Sequence, residues 1–97
     1  MHKALSMLGI AAKAGRLVSG ETAVEQAVRR EKAALVIISE DASENTAGKF
    51  RNLCSSHQIP FIVFAPKAEL GRAVGKGERS SVAVLDAALA EAVIKRI

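Results

Sequence analysis

The chain has 97 residues, 49% of them apolar, with three Phe, no Tyr and no Trp, which bounds it to one domain, residues 1–97, with an aliphatic core. Its formal charge of +4, from fourteen Lys and Arg against ten Asp and Glu, suits a polyanionic partner and is equally explained by solubility. The dearth of aromatics argues against base stacking as the main binding mode, and a single cysteine, Cys54, excludes an internal disulfide and points to a reducing, cytoplasmic compartment.

In chain order, residues 3–14 read as an amphipathic helix with Leu5, Leu8 and Ala12 on one stripe, closed by Gly15. A secretory signal is argued against by Lys13, which stands where small uncharged residues belong. No apolar run reaches membrane-spanning length. Leu17-Val18 is long enough only for a short strand. Residues 20–31 form a second helix with Ala23, Val24, Ala27 and Val28 on one face. Leu35-Val36-Ile37-Ile38 suits a strand buried on both sides. Asp41-Ala42-Ser43-Glu44 has capping-box spacing and opens a third helix that turns Ala47, Phe50, Leu53 and Cys54 inward. Phe61–Phe64 reads as a second buried strand, and Pro66 suits the first turn of a short helix ending at Gly75. Ser81–Leu85 is another long strand, and Asp86 caps a last helix running to the C-terminus. Alternating helices and strands predict a three-layer α/β/α sandwich around one small sheet.

Catalytic and metal chemistry finds little footing. His2 and His57 are the only histidines, and no Cys/His spacing fits a metal. Cys54 falls on the inner stripe of its helix, where a thiol is inert. Glu40 and Asp41 are adjacent carboxylates at a strand end, but helix capping accounts for Asp41. Gly71-Arg72-Ala73-Val74-Gly75-Lys76-Gly77 is one residue short of a phosphate-binding loop, lacks the metal-binding Ser or Thr, and leaves a helix rather than opening one. No GxGxxG follows the first strand. Neither an enzyme nor a cofactor is expected.

Three segments carry the positive signal. The helix opening at Ser19-Gly20-Glu21-Thr22 points unpaired backbone N–H groups outward, a contact for phosphate or polar base edges, although an ordinary N-cap explains the same residues. The loop Gly75-Lys76-Gly77-Glu78-Arg79-Ser80 brings two cations and two glycines before a strand, and as a solvated loop needs no ligand. Arg29, Arg30 and Lys32 end the second helix, where cations also complement the dipole.

GETAVEQAV, AALVIISEDA, LCSSHQIPF and ELGRAVG, in that order and spacing, resemble the kink-turn RNA-binding ribosomal protein superfamily of L7Ae/L30e type. The bacterial YlxQ-type branch is the nearest likeness, through SGE near the start, SEDASENT in the middle and LGRAVGK before the last strand. The resemblance spans nearly the whole chain. It implies a four-stranded mixed sheet and a non-catalytic protein, linked to the ribosome or translation, that holds a sharply bent internal loop of RNA. Ser19, Gly20, Glu21, Thr22 and Gln26 would contact that loop, together with Lys76, Gly77, Glu78, Arg79 and Ser80. Arg30 matches a position where relatives often carry a basic residue, and His57 one where some carry Lys.

Typical members place Asn, Glu and Lys where this chain has Thr22, Ala23 and Gln26. Thr22 keeps a hydroxyl, Ala23 has no hydrogen-bonding group, and Gln26 keeps donors without charge. A hydrogen bond to a charged group contributes about 1.5–3 kcal/mol, so the two departures lower affinity by about one to three powers of ten. A weaker or less selective RNA binder is expected, with phosphate contacts from Arg30, Lys76 and Arg79 retained. The alternative is a protein-interaction module on the same fold, its RNA face weakened or absent.

Overall fold

A computed structural model describes residues 2–97; Met1, included in the expected domain, lies outside the described residues. Five helices alternate with four strands: α1 (Lys3–Lys13), β1 (Leu17–Ser19), α2 (Glu21–Arg29), β2 (Leu35–Ile38), α3 (Glu44–His57), β3 (Phe61–Val63), α4 (Lys67–Ala73), β4 (Ser81–Val84) and α5 (Ala87–Ile94). The sheet has the order β1-β4-β2-β3. It is mixed, because β4 runs antiparallel to both β1 and β2 while β3 runs parallel to β2.

The two central strands, β2 and β4, are buried along their whole length. Alternation along a strand sends successive side chains to opposite faces, so one apolar run serves two cores. Leu35, Ile37, Val82 and Val84 pack with Leu5, Leu8, Leu70 and Val93 beneath α1, α4 and α5. Val36, Ile38 and Ala83 pack with Val24, Val28, Phe50 and Cys54 beneath α2 and α3. This is the α/β/α sandwich expected, with helices on both faces of the sheet.

Several local expectations are corrected. Asp41 does not cap α3: Ser43 does, its Oγ accepting the Thr46 backbone N–H at 3.1 Å. Asp41 lies too far before the first turn, and its Oδ1 instead accepts the Lys67 backbone N–H at 3.0 Å, holding the start of α4. Pro66 is the N-cap of α4 and precedes its first turn. The segment read as a second buried strand is the sheet edge, with Val63 50% exposed and Phe64 beyond the strand. On α1 the fully covered stripe is Ala4, Leu5, Leu8 and Ala11, with Ala12 only partly covered. Glu31, at φ 57°, lies beyond the end of α2, which stops two residues earlier than its pattern suggests, and α5 stops at Ile94. Asp86 caps α5 as expected, its Oδ1 accepting the Leu89 N–H at 2.9 Å.

Cys54 is buried, and that burial pushes its thiol up to about 11, so the side chain is packing rather than chemistry. No group of three metal-ligating residues occurs among the described residues, and no helix among them is long and apolar enough to cross a membrane.

Candidate nucleic-acid interface

The start of α2 lies directly against the loop that precedes β4. Gly20 is the N-cap, with φ 96° and ψ 152°, a conformation that L side chains rarely adopt. Its own N–H donates to the Ser81 carbonyl at 3.0 Å, pinning the turn to β4. No side chain caps this end, and the first intrahelical bond runs from Val24 N–H to the Gly20 carbonyl at 3.0 Å. The N–H groups of the first turn are therefore left to a ligand or water.

The loop is held in place by α4. Gly71 is buried in that helix, and a Cβ there would overlap the Gly77 carbonyl group. Only glycine lets the loop fold back this closely. Lys76 N–H donates to the Gly71 carbonyl at 2.8 Å, and Arg79 N–H to the Lys67 carbonyl at 3.0 Å. Ser39 N–H donates to the Ser80 carbonyl at 2.9 Å, joining the loop to the end of β2.

Arg79 joins the two segments. Its Nε donates to Ser19 Oγ at 3.1 Å, at the end of β1, and one terminal nitrogen donates to the Glu78 carbonyl at 2.9 Å. A guanidinium has five N–H donors, so others remain for a ligand, on a group whose direction is fixed. Glu78, which would repel a phosphate, sits 3.9 Å from Lys67 Nζ, a separation that only partly answers its charge.

These contacts bring Ser19, Gly20, Glu21, Glu78, Arg79 and Ser80 around one hollow of about 360 Å³, together with Thr46 and Ser81. Lys76 and Arg79 also border a larger cleft of about 840 Å³ whose lining includes Ala23. Gly77 is exposed on the loop between them. Thr22 and Gln26 are exposed one turn apart on α2 and line neither hollow. Arg30 caps the far end of α2, about 15 Å from Gly20 at 1.5 Å per residue, so it is not brought into this group. Arg29 donates to Glu25 at 2.9 Å, and His57 lies in the last turn of α3.

Lys49 carries no signal in the sequence that would mark it. This α3 residue bridges Glu25 at 2.6 Å and Glu21 at 3.0 Å, drawing the Glu21 carboxylate towards α3. The hydrogen bond from Lys49, followed by that from Arg29, holds the Glu25 carboxyl below its ordinary 4.5; Glu25 and then Glu21 hold the Lys49 ammonium above its ordinary 10.5. The network braces α2 against α3. Lys13 and Arg72 also escape a reading of the sequence as ligands, although both border the larger cleft. Their separation along the chain leaves no local pattern to find.

Comparison with known proteins places this architecture. The model of the "Ribosomal protein L7Ae/L30e/S12e/Gadd45 family" matches residues 2–94. The RNA-binding protein YlxQ of Bacillus subtilis is 41% identical over 88 residues, covering 91% of this chain and 88% of that protein. The large ribosomal subunit protein eL8 of Thermoplasma volcanium is 29% identical over 97 residues, covering 99% and 80%. A protein of unknown function from Bacillus halodurans C superposes with a TM-score of 0.94 at 41% identity, over 98% of this chain and 96% of that one. The Giardia lamblia 15.5kD RNA binding protein shares the fold, with a TM-score of 0.83 at 24% identity over 95% and 82% of the two chains. The YlxQ and eL8 relatives are named as RNA-binding or ribosomal proteins, not as enzymes. From residue 2 to residue 94, the chain belongs to the ribosomal protein L7Ae/L30e/S12e/Gadd45 family.

Proposed function

We propose that this single domain is a non-catalytic, cytoplasmic binder of structured RNA, acting on a kink-turn or on ribosomal RNA in connection with translation. The observation that carries this reading is the junction between the uncapped start of α2 and the Arg79 loop. Backbone N–H groups and a rigidly aimed guanidinium share one hollow there. N–H groups at a helix start suit polar base edges and phosphates, and a guanidinium suits phosphate oxygens.

In this reading, Gly20, Glu21 and Thr22 lie against the bent loop, Gln26 reaches a base edge, and Lys76 and Arg79 hold phosphates. Gly77, Glu78 and Ser80 supply the loop's backbone and polar contacts, Ser19 orients Arg79, and Arg30 meets a strand leaving along α2. Phosphate contacts set affinity and register without reading sequence. With Ala23 and Gln26 lacking the charges of typical relatives, binding is weaker or less selective than theirs.

A protein-interaction role is favoured by those same two departures. The cleft beside Ala23 on α2 nevertheless mixes apolar Ala12, Leu17, Val18, Ala73 and Val74 with the cations Lys13, Arg72, Lys76 and Arg79, which a purely apolar docking patch would not. Among the described residues, the large exposed apolar ones are Ile10, Val63, Ile94 and Ile97, on α1, the β3 edge and the C-terminal segment.

Ultraviolet crosslinking in cells, followed by sequencing of the bound RNA, tests the proposal. Enrichment of RNAs with asymmetric internal loops is expected. Recovery no greater than from an uncrosslinked control contradicts it and moves the function to a protein partner.

A further inference from the structure

The larger cleft carries charge of one sign. Lys13, Arg72, Lys76 and Arg79 border it, and no carboxylate does. Elsewhere, several cations on the helices are answered: Arg29 and Lys49 by Glu25, Lys67 by Glu78 and Lys95 by Glu91. None of the four cleft cations is in an ion pair among the described residues. Lys13 closes α1 and Arg72 lies in the last turn of α4, so two helix C-termini converge on this cleft with exposed cations at their ends.

We propose that the cleft is a second anchoring site for the RNA backbone, where Lys13 and Arg72 take phosphates of a helix flanking the loop held at α2. The inference rests on the RNA-binding function proposed above. Continuity supports it, because Ser19 and Arg79 line both hollows. A polyanion seated at the start of α2 is thereby carried past Arg79 into the cleft. The chemistry also favours a polymer over a small anion. Small-ligand sites enclose most of their ligand and fix it with a few polar groups, whereas Lys13, Arg72 and Lys76 are exposed cations at the rim of an open surface, suited to solvated phosphates.

The experiment compares two RNAs, one kink-turn with minimal stems and the same kink-turn with both stems extended. Wild-type protein and the double variant Lys13→Gln/Arg72→Gln are titrated over a salt series. Wild type is expected to bind the extended RNA more tightly. The double variant is expected to forgo that advantage, roughly tenfold at about 0.7 kcal/mol for each of two solvent-exposed charge contacts, and to bind the minimal RNA within about twofold of wild type. On the extended RNA its log–log salt slope is expected to fall by about 1.4 to 1.8, at 0.7–0.9 for each phosphate contact.

Unchanged affinity and slope on the extended RNA overturn the inference and leave the function standing. So does equal wild-type binding of the two RNAs, or equal weakening of both by the substitutions. A lower Tm with unchanged RNA binding shows that the cations only offset the helix dipoles, which also overturns it. Wild-type protein that binds neither RNA overturns the function and this inference together. Should the double variant fold poorly, Lys13→Gln and Arg72→Gln alone are each expected to show about half the slope change.

Discussion

Arg79 has a structural part and, in the proposed function, a ligand-facing one, and substitution separates them. Its Nε bond to Ser19 and its terminal bond to the Glu78 carbonyl hold the loop, while its remaining donors are left for a ligand. Arg79→Ala should weaken binding about tenfold to a hundredfold across RNA sequences, as expected for a charged hydrogen bond. It should also lower the salt slope by about one. Filter binding over a salt series checks both. Arg79→Lys keeps the charge but not the fork, so it should recover the slope more fully than the affinity. Gln26 is exposed on the same side of α2 as Thr22, one turn on. Gln26→Lys should tighten binding to a kink-turn about tenfold; a titration without improvement would indicate that this face of α2 does not meet the RNA.

At the scale of elements, the site depends on how closely α4 approaches the loop. Gly71 is the point of contact, and Gly71→Ala should move Gly77 and its neighbours outward. RNA affinity should fall at least about tenfold, the scale set by a single charged hydrogen bond to the RNA, while the circular dichroism spectrum stays that of the folded sandwich. The start of α4 is expected to respond to pH. The Lys67 backbone N–H, by bonding to Asp41, holds that carboxyl below its ordinary 3.8. A lowered folded-state value means the stabilisation is fully present above the ordinary value and is lost as pH falls through the lowered one. The Tm difference between wild type and Asp41→Ala should therefore be open at about pH 6 and close in acid. Thermal melts across that range measure it.

Legibility follows the same division. Local signals mark the helix starts at Gly20 and Asp86 and the apolar runs of β2 and β4, since caps and periodicity belong to neighbouring residues. The cap of α3 is ambiguous in sequence because Asp41 and Ser43 both suit one, and a bond to Lys67, remote along the chain, draws Asp41 away. Phe61–Val63 reads as buried from its composition, yet edge or centre is decided by pairing between distant strands. The loop cations are legible in the sequence; their junction with Ser19 is not, because it depends on β1 lying beside β4.

Over the whole molecule, two cores on opposite faces of one sheet present α2, β1 and the loop before β4 along a single side. Family membership and this geometry converge on RNA, and in the proposed reading Thr22, Ala23 and Gln26 are expected to set the strength of the interaction below that of typical relatives. The central claim is that this side holds a bent internal loop rather than any polyanion. It is tested most directly by titrating the protein with a kink-turn RNA and with the same RNA whose G·A pairs are replaced by Watson–Crick pairs, at equal length and fixed salt. The intact kink-turn should bind at least about tenfold more tightly, a difference of about 1.4 kcal/mol. Equal affinity for the two RNAs would contradict the claim.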